Sequence, residues 1–462
     1  MNRSQRLLVA MLALITLFAA SCGSSEDSAV DSTVDAVADA SSDASAGDDE
    51  AMADDAMADD DGAMADDAMA DGDVTLTWWT WGGSGHDNVI AAFEEANPGV
   101  NVEVTIAGFD EHHEKLLAGF VSGEVPDVAM VEVGYSSLFK ANPGNFTDLG
   151  ATYGAGDVEG DFIPFRWEHG VAPDGTIIGL PTDVGGLAVA YRSDLFGNAG
   201  LPTEPDEVTA MIPDWDSFLD LGEKFIANTP DGGKYIDTSG LLFESVVKQG
   251  PEGFYSTDGE LIYDSSDHIA EAWRLATDAI DRGLSANLGA FSPEWNAAMA
   301  NGDHAVQLAP AWMMNYIAGQ APDTAGNWRL AEFPGGGGNW GGAQLTIPAD
   351  APHKDLAWDL ISWVSTADNQ LQIFKDFGNF PSIQSLFTDD DLVGFENEHF
   401  GGQQVGAVYA ESILSVEPQF EGIDQRTLLR EFTGALGEIE NGNMTPDDAW
   451  KSALDAIALE IG

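Results

Sequence analysis

Val74-Thr75-Leu76-Thr77-Trp78-Trp79-Thr80-Trp81-Gly82-Gly83-Ser84-Gly85-His86-Asp87 is the stretch that decides the fold. Val74, Leu76 and Trp78 alternate with Thr75, Thr77 and Trp79, the period of a strand. A Gly-Gly-Ser-Gly turn follows. Residues 86–96 then carry an apolar stripe at Val89, Ile90 and Phe93, which predicts a helix lying on a sheet. Strand, turn and helix in that order open an α/β layer fold. Ligands in such folds bind beyond the carboxyl ends of strands, and three indoles stand where this strand gives way to its turn.

Upstream, Arg3 and Arg6 precede the apolar run 7–20, which is too short for a membrane span and is built like a secretory leader. It ends Ala19-Ala20-Ser21-Cys22-Gly23, and Cys22 is the only cysteine of the chain. Small residues before that cysteine resemble the bacterial lipobox, with Ala19 where leucine is usual. In such signals the cysteine is lipidated and becomes the mature N-terminus. Ordinary cleavage near Ala20 or Ser21 is the plainer alternative. A lone cysteine excludes an internal disulfide and a zinc–cysteine cluster. Residues 23–73 hold 18 Asp plus Glu, no Lys or Arg and no aromatic residue, with Ala-Met-Ala-Asp-Asp repeated from residue 51. Such a segment buries too little surface to offset its ordering entropy. It reads as a disordered acidic tether.

Downstream, residues 100–106 alternate as a second strand, 111–121 read as a helix and 128–131 as a short buried strand with Glu132 at its end. Paired strands flank Pro181, Gly185 and Gly186, and further strands are expected at 303–310, 328–333 and 343–347. Helices are expected at 215–226, 241–248, 266–282, 293–300, 354–365, 369–376, 425–440 and 446–461. The chain carries 79 acidic and 17 basic residues, a formal net charge of −62. This argues against a nucleic-acid partner, which needs cationic neutralisation of phosphates, and against electrostatic docking on anionic lipid. The spread of the charge suits a saline environment.

Five stretches in order (78–81, 123–130, 179–195, 299–317 and 341–357) resemble the extracytoplasmic solute-binding proteins of ABC importers, in the carbohydrate-binding group related to maltose-binding protein. The resemblance covers the chain from Val74 onward. It implies an α/β, two-lobed periplasmic-binding-protein-like fold of type II, with multiple crossover strands and the ligand cleft between the lobes. The division expected is a lipoprotein signal at 1–22, tether at 23–73, lobe one at 74–185, lobe two at 186–338, a return to lobe one at 339–378 and the C-terminal helices of lobe two at 379–462. It further implies a monomer that carries a small-molecule carbohydrate to membrane permease subunits, held by its lipid on the outer face of the cytoplasmic membrane.

A neutral sugar presents flat C–H faces and a rim of hydroxyls. Indoles suit the faces, and carboxylates suit the hydroxyls at about 1.5–3 kcal/mol for each charged hydrogen bond. Trp312 follows Pro310 at a strand-to-helix junction and matches the family's stacking tryptophan. Trp340 lies in a glycine-rich loop with little local core to bury it. Strand alternation forbids Trp78, Trp79 and Trp81 from facing one way; Trp79 and Trp81 are assigned to the cleft and Trp78 to packing. Asp183, Glu132 and Asp110 are the hydroxyl-binding candidates. No Walker loop, Gly-x-Ser-x-Gly elbow or His-Glu-x-x-His is present. His112-His113-Glu114 lacks a clear third metal ligand, so no catalytic residue, metal or cofactor is expected. Two alternatives stay open: a binding protein for a cation such as a polyamine, since acids with indoles also suit cations, and a glycan-degrading lipoprotein.

Overall fold

Strand β1 (Val74–Trp81) and β2 (Val100–Ala107) run parallel over their whole length, from Val74 beside Val100 to Trp81 beside Ala107. The helix between them, Asp87–Ala96, buries Val89, Ile90 and Phe93, the stripe that the sequence shows. The computed structural model describes residues 74–229 and 232–461. Cys22, the leader and the tether lie outside the described residues.

Helix Phe109–Ser122 leads to β3 (Val128–Glu132), which is parallel to β1. Two antiparallel strands complete the sheet of lobe one, β4 (Gly179–Pro181) and β10 (Ala343–Thr346), in the order β2-β1-β3-β10-β4. The sheet of lobe two has the order β7-β8-β6-β9, with β6 (Leu187–Arg192), β7 (Lys234–Ile236), β8 (His304–Pro310) and β9 (Trp328–Ala331). The C-terminal helices Gln425–Glu440 and Pro446–Ile461 bury Leu428, Phe432, Leu436, Ala449 and Ile457 in the core of lobe two. A second core runs through both sheets near the crossings, from Leu76 and Trp78 through Val184 and Phe380 to Ala309 and Leu330.

The chain passes between the sheets three times. It leaves β4 through β5 (Asp183–Val184) for β6, returns from β9 to β10, and leaves again after helix Ala367–Phe377 through β11 (Phe380–Pro381), which pairs with β5. This is the two-lobed fold with multiple crossovers. The crossings touch: Gly185 donates to the Asn339 side chain and accepts from the Trp340 amide, at 2.9 and 2.8 Å. A Cβ on Gly185 would collide with the Trp340 carbonyl oxygen. Gly342, at φ 103°, would place one 2.9 Å from the Asp183 carbonyl oxygen, so only glycine fits both the backbone and the gap.

Among the helices of eight residues or more, two depart from the sequence expectation. Val133–Lys140 is a full helix where the sequence suggests a single helical turn at 136–140, and Val405–Leu414 was not foreseen. The latter is apolar on more than one face because it is buried against lobe two, and an all-round apolar segment shows no helical period.

Gly185→Ala is expected to cost about 1–3 kcal/mol by overpacking, whereas Gly144→Ala, in open space, should stay within about 0.5 kcal/mol of the native chain. Urea unfolding of the two variants checks this.

Candidate functional site

The carboxyl ends of β1 and β3 and the start of helix Phe109–Ser122 bring one group of side chains together. Glu132 ends β3 and caps the next helix, its Oε2 accepting from the Gly134 amide at 2.7 Å. His113 Nδ1 lies 2.8 Å from the Phe109 carbonyl oxygen, and its Nε2 lies 3.1 Å from the Glu132 amide. That pattern requires Nδ1–H and a neutral ring, and burial with His112 nearby holds the His113 pKa well below its ordinary value. Its ring stacks on Tyr135 at 3.8 Å and sits 5.3 Å from Trp81. Tyr135 donates its hydroxyl to Asp110. Trp81, Asp110 and Glu132 are therefore joined through His113 and Tyr135.

Lobe two answers with charge. Lys248 Nζ meets Glu421 Oε1 at 2.6 Å, with both side chains nearly buried. Arg426 lies 4.1 Å over the Tyr135 ring and donates to Asp110. Burial raises the Glu132 pKa to about 7; Lys248 and Arg426 pull it down and Glu421 pushes it up. Burial works against the charge of Lys248, but Glu421 and Glu244 more than offset it and its pKa is raised.

A second, aromatic group stands at the end of β8. Trp312 precedes helix Met313–Gln320 and donates Nε1 to the Trp340 carbonyl at 3.3 Å; the two rings are 5.4 Å apart. Phe291 lies nearly parallel to Trp312, at 6.3 Å and 20°, and Tyr316 meets Phe291 edge-on. Phe291 is 48% exposed and adopts φ 64°. A bulky residue in that region is an outlier, and such strain gathers at functional sites.

Asp183 lies where the crossings meet. Its Oδ1 accepts from Thr182 Oγ1 at 2.7 Å and from the Ala343 amide at 2.9 Å. The fully buried Arg166 donates to the carbonyls of Asp183 and Ala343, each at 2.8 Å. Much of this carboxylate is thus committed to joining the crossings, which sequence pattern did not reveal. Trp79 has different neighbours from the other candidates: it packs beside Leu116, Ala129 and Phe139, with Lys115 Nζ 3.8 Å over its ring. Trp78 is wholly core. His113, Tyr135, Arg166, Lys248, Phe291 and Arg426 were missed. The one available signal was scarcity, since each cation among only 17 is conspicuous. Among the described residues no cluster of His, Cys, Asp and Glu is placed to hold a metal ion.

The folded chain holds the Glu132 proton more tightly than the unfolded one, whose carboxyl titrates near 4.5. Native protein thus binds more protons between about pH 4.5 and 7, and the contribution of Glu132 to stability falls as pH rises through that window. Glu132→Gln is expected to flatten that slope and to be more stable than the native chain by roughly 1–3 kcal/mol at pH 8. Urea unfolding across pH 4–8 checks it.

The model of the family described as "Bacterial extracellular solute-binding protein" matches residues 82–371. The lactose-binding protein of Rhizobium radiobacter is 24% identical over 363 residues, 75% of this chain and 83% of that one. The arabinooligosaccharide-binding protein of Halalkalibacterium halodurans is 23% identical over 414 residues, 84% of this chain and 89% of that one. A crystal structure of an extracellular solute-binding protein of family 1 superposes with a TM-score of 0.76 at 31% identity, covering 84% of this chain and all of the other. The ABC transporter associated binding protein of B. animalis subsp. lactis in complex with β-1,6-galactobiose gives a TM-score of 0.71 at 22% identity, over 83% of this chain and 96% of that one, a likeness of fold. The two sheets, the three crossings and the matched span together place this chain in the bacterial extracellular solute-binding protein family, as a non-catalytic, extracytoplasmic component of transport.

Proposed function

We propose that this protein captures a neutral sugar or short oligosaccharide between its lobes and delivers it to the permease subunits of an ABC importer. The observation that carries the reading is the pairing of half-buried indoles at Trp312 and Trp340 and the exposed ring of Phe291 with the carboxylates of Glu132 and Asp183, near the crossings between the lobes. Trp312 and Trp340 cover C–H faces; Glu132, Asp183 and Asp110 accept from hydroxyls; Trp81 adds apolar area at the strand end. Trp79 lends support from beneath Lys115.

Ligand touching both lobes binds the closed state more tightly and shifts the population towards it. The transporter's ATPase supplies the energy of uptake. Lipidation of Cys22, with residues 23–73 as spacer, would hold the monomer at the outer face of the membrane. Cys22→Ala is then expected to move the protein from the membrane fraction into the soluble extracytoplasmic fraction, as immunoblotting of both fractions would reveal.

A thermal-shift panel of mono- and oligosaccharides, polyamines and amino acids tests the ligand class on the full chain. A ligand of the native state at 100 times its Kd adds about 2.7 kcal/mol. A saturable shift with a neutral sugar, weakened about 30-fold or more in affinity by Trp312→Ala, is the expected result. Shifts with polyamines alone would replace sugar by a cation in the same fold.

A further inference from the structure

Residues 415–424 join helix Val405–Leu414 to helix Gln425–Glu440 without regular structure. They are fixed to lobe two: Gln419 Nε2 donates to the carbonyls of Val247 and Gly250, at 2.9 and 3.1 Å, and Glu421 pairs with Lys248 at 2.6 Å. The same segment reaches lobe one. Ser137 Oγ donates to the Glu421 carbonyl, and Arg426 at the following helix start holds Asp110 and Tyr135. Ser137 and Tyr135 both lie on the helix that Glu132 caps. A strap from one lobe is therefore seated on the other, next to Glu132.

Glu421 Oε2 and both amide atoms of Gln425 are buried without a hydrogen-bond partner, and Gln425 is only 3% exposed. Unpaired buried groups cost about 1–3 kcal/mol each, so the strap keeps polar capacity in reserve. Glu132 pairs in register with Ala343, three residues after Trp340. Three residues reach at most about 10 Å at ~3.3 Å each, and the antiparallel pair adds about 5 Å, so the backbones of Glu132 and Trp340 lie within about 15 Å, the scale of a short oligosaccharide.

We infer that the strap stops one end of the cleft, so that the site reads the terminus of a short sugar, with its last ring against Glu132, Lys248 and Glu421 and any further rings leaving past Trp312. This rests on the sugar-binding reading above. A terminal ring has a free hydroxyl where an internal ring carries its next glycosidic bond. A hydroxyl both donates and accepts, which suits a wall made of an ammonium and two carboxylates; a glycosidic oxygen cannot donate.

Titration calorimetry of the full chain with malto- and β-galacto-oligosaccharides of increasing length, each also tagged with a bulky aromatic group at either terminus, tests this. The expected result is a tag tolerated at one terminus and costing about 100-fold in affinity at the other, with little gain beyond two rings. Arg426→Ala, at a half-exposed side chain, should keep the fold and narrow the difference between tags to less than about 10-fold; Lys248→Met with Glu421→Met is the second variant. Equal tolerance of tags at both termini, or binding of a cyclic oligosaccharide as tight as that of a linear one, overturns the strap while leaving sugar binding intact. Binding of none of these sugars, tagged or untagged, overturns both.

Discussion

The guanidinium of Arg166 is the interaction that holds the crossings together. It is fully buried, and a buried cation is tolerated only when it is hydrogen-bonded and paired. Each of the three nitrogens of Arg166 makes one such bond, to the Asp183 carbonyl, the Ala343 carbonyl and His169. Those two carbonyls belong to different crossings between the lobes. Gly342 packs so close that a Cβ there would lie 3.1 Å from the Arg166 guanidinium carbon. Fixing Ala343 in turn fixes the register of β10 against β3, where Ala343 faces Glu132. One buried charge thus sets the spacing between the carboxylates of the site.

The distribution of cations follows a pattern that total charge conceals. The chain has 79 acidic and 17 basic residues, yet Arg166, Lys248 and Arg426 all act on Glu132, and Lys140 stands beside Glu421 and Glu168. Lys140 donates to the Glu168 carbonyl at 3.0 Å, and Lys248 and Arg426 directly oppose the effect of burial on the Glu132 carboxyl. In an acidic protein a cleft carboxylate would gain protons readily; local cations limit that gain. The surface acidity and the cleft chemistry are separate designs.

The sheet-forming segments and helices with clear periods were legible in the sequence. The alternation in Val74–Trp81 foretold a buried Trp78, because a strand pointing one indole into the core must point its neighbour out. The Trp312–Trp340 contact was reachable only as two separate candidates, since 28 residues part them and the glycine-rich return that joins them has no period. Asp183 stood out beside Pro181, but its tie to the Ala343 amide spans 160 residues. Arg426 stands in the first turn of its helix, and nothing local announces a partner 316 residues away at Asp110. Local pattern records which face of an element is apolar; it does not record which elements meet.

The most direct test of the account is the position of a bound sugar in a crystal structure of the full chain, using whichever neutral sugar shifts the melting temperature most. The account predicts a ring stacked on Trp312 or Trp340 with hydroxyls on Glu132 and Asp183. A sugar seated elsewhere, such as the cavity of about 400 Å³ beside Glu332, Phe333 and Glu411, would contradict it.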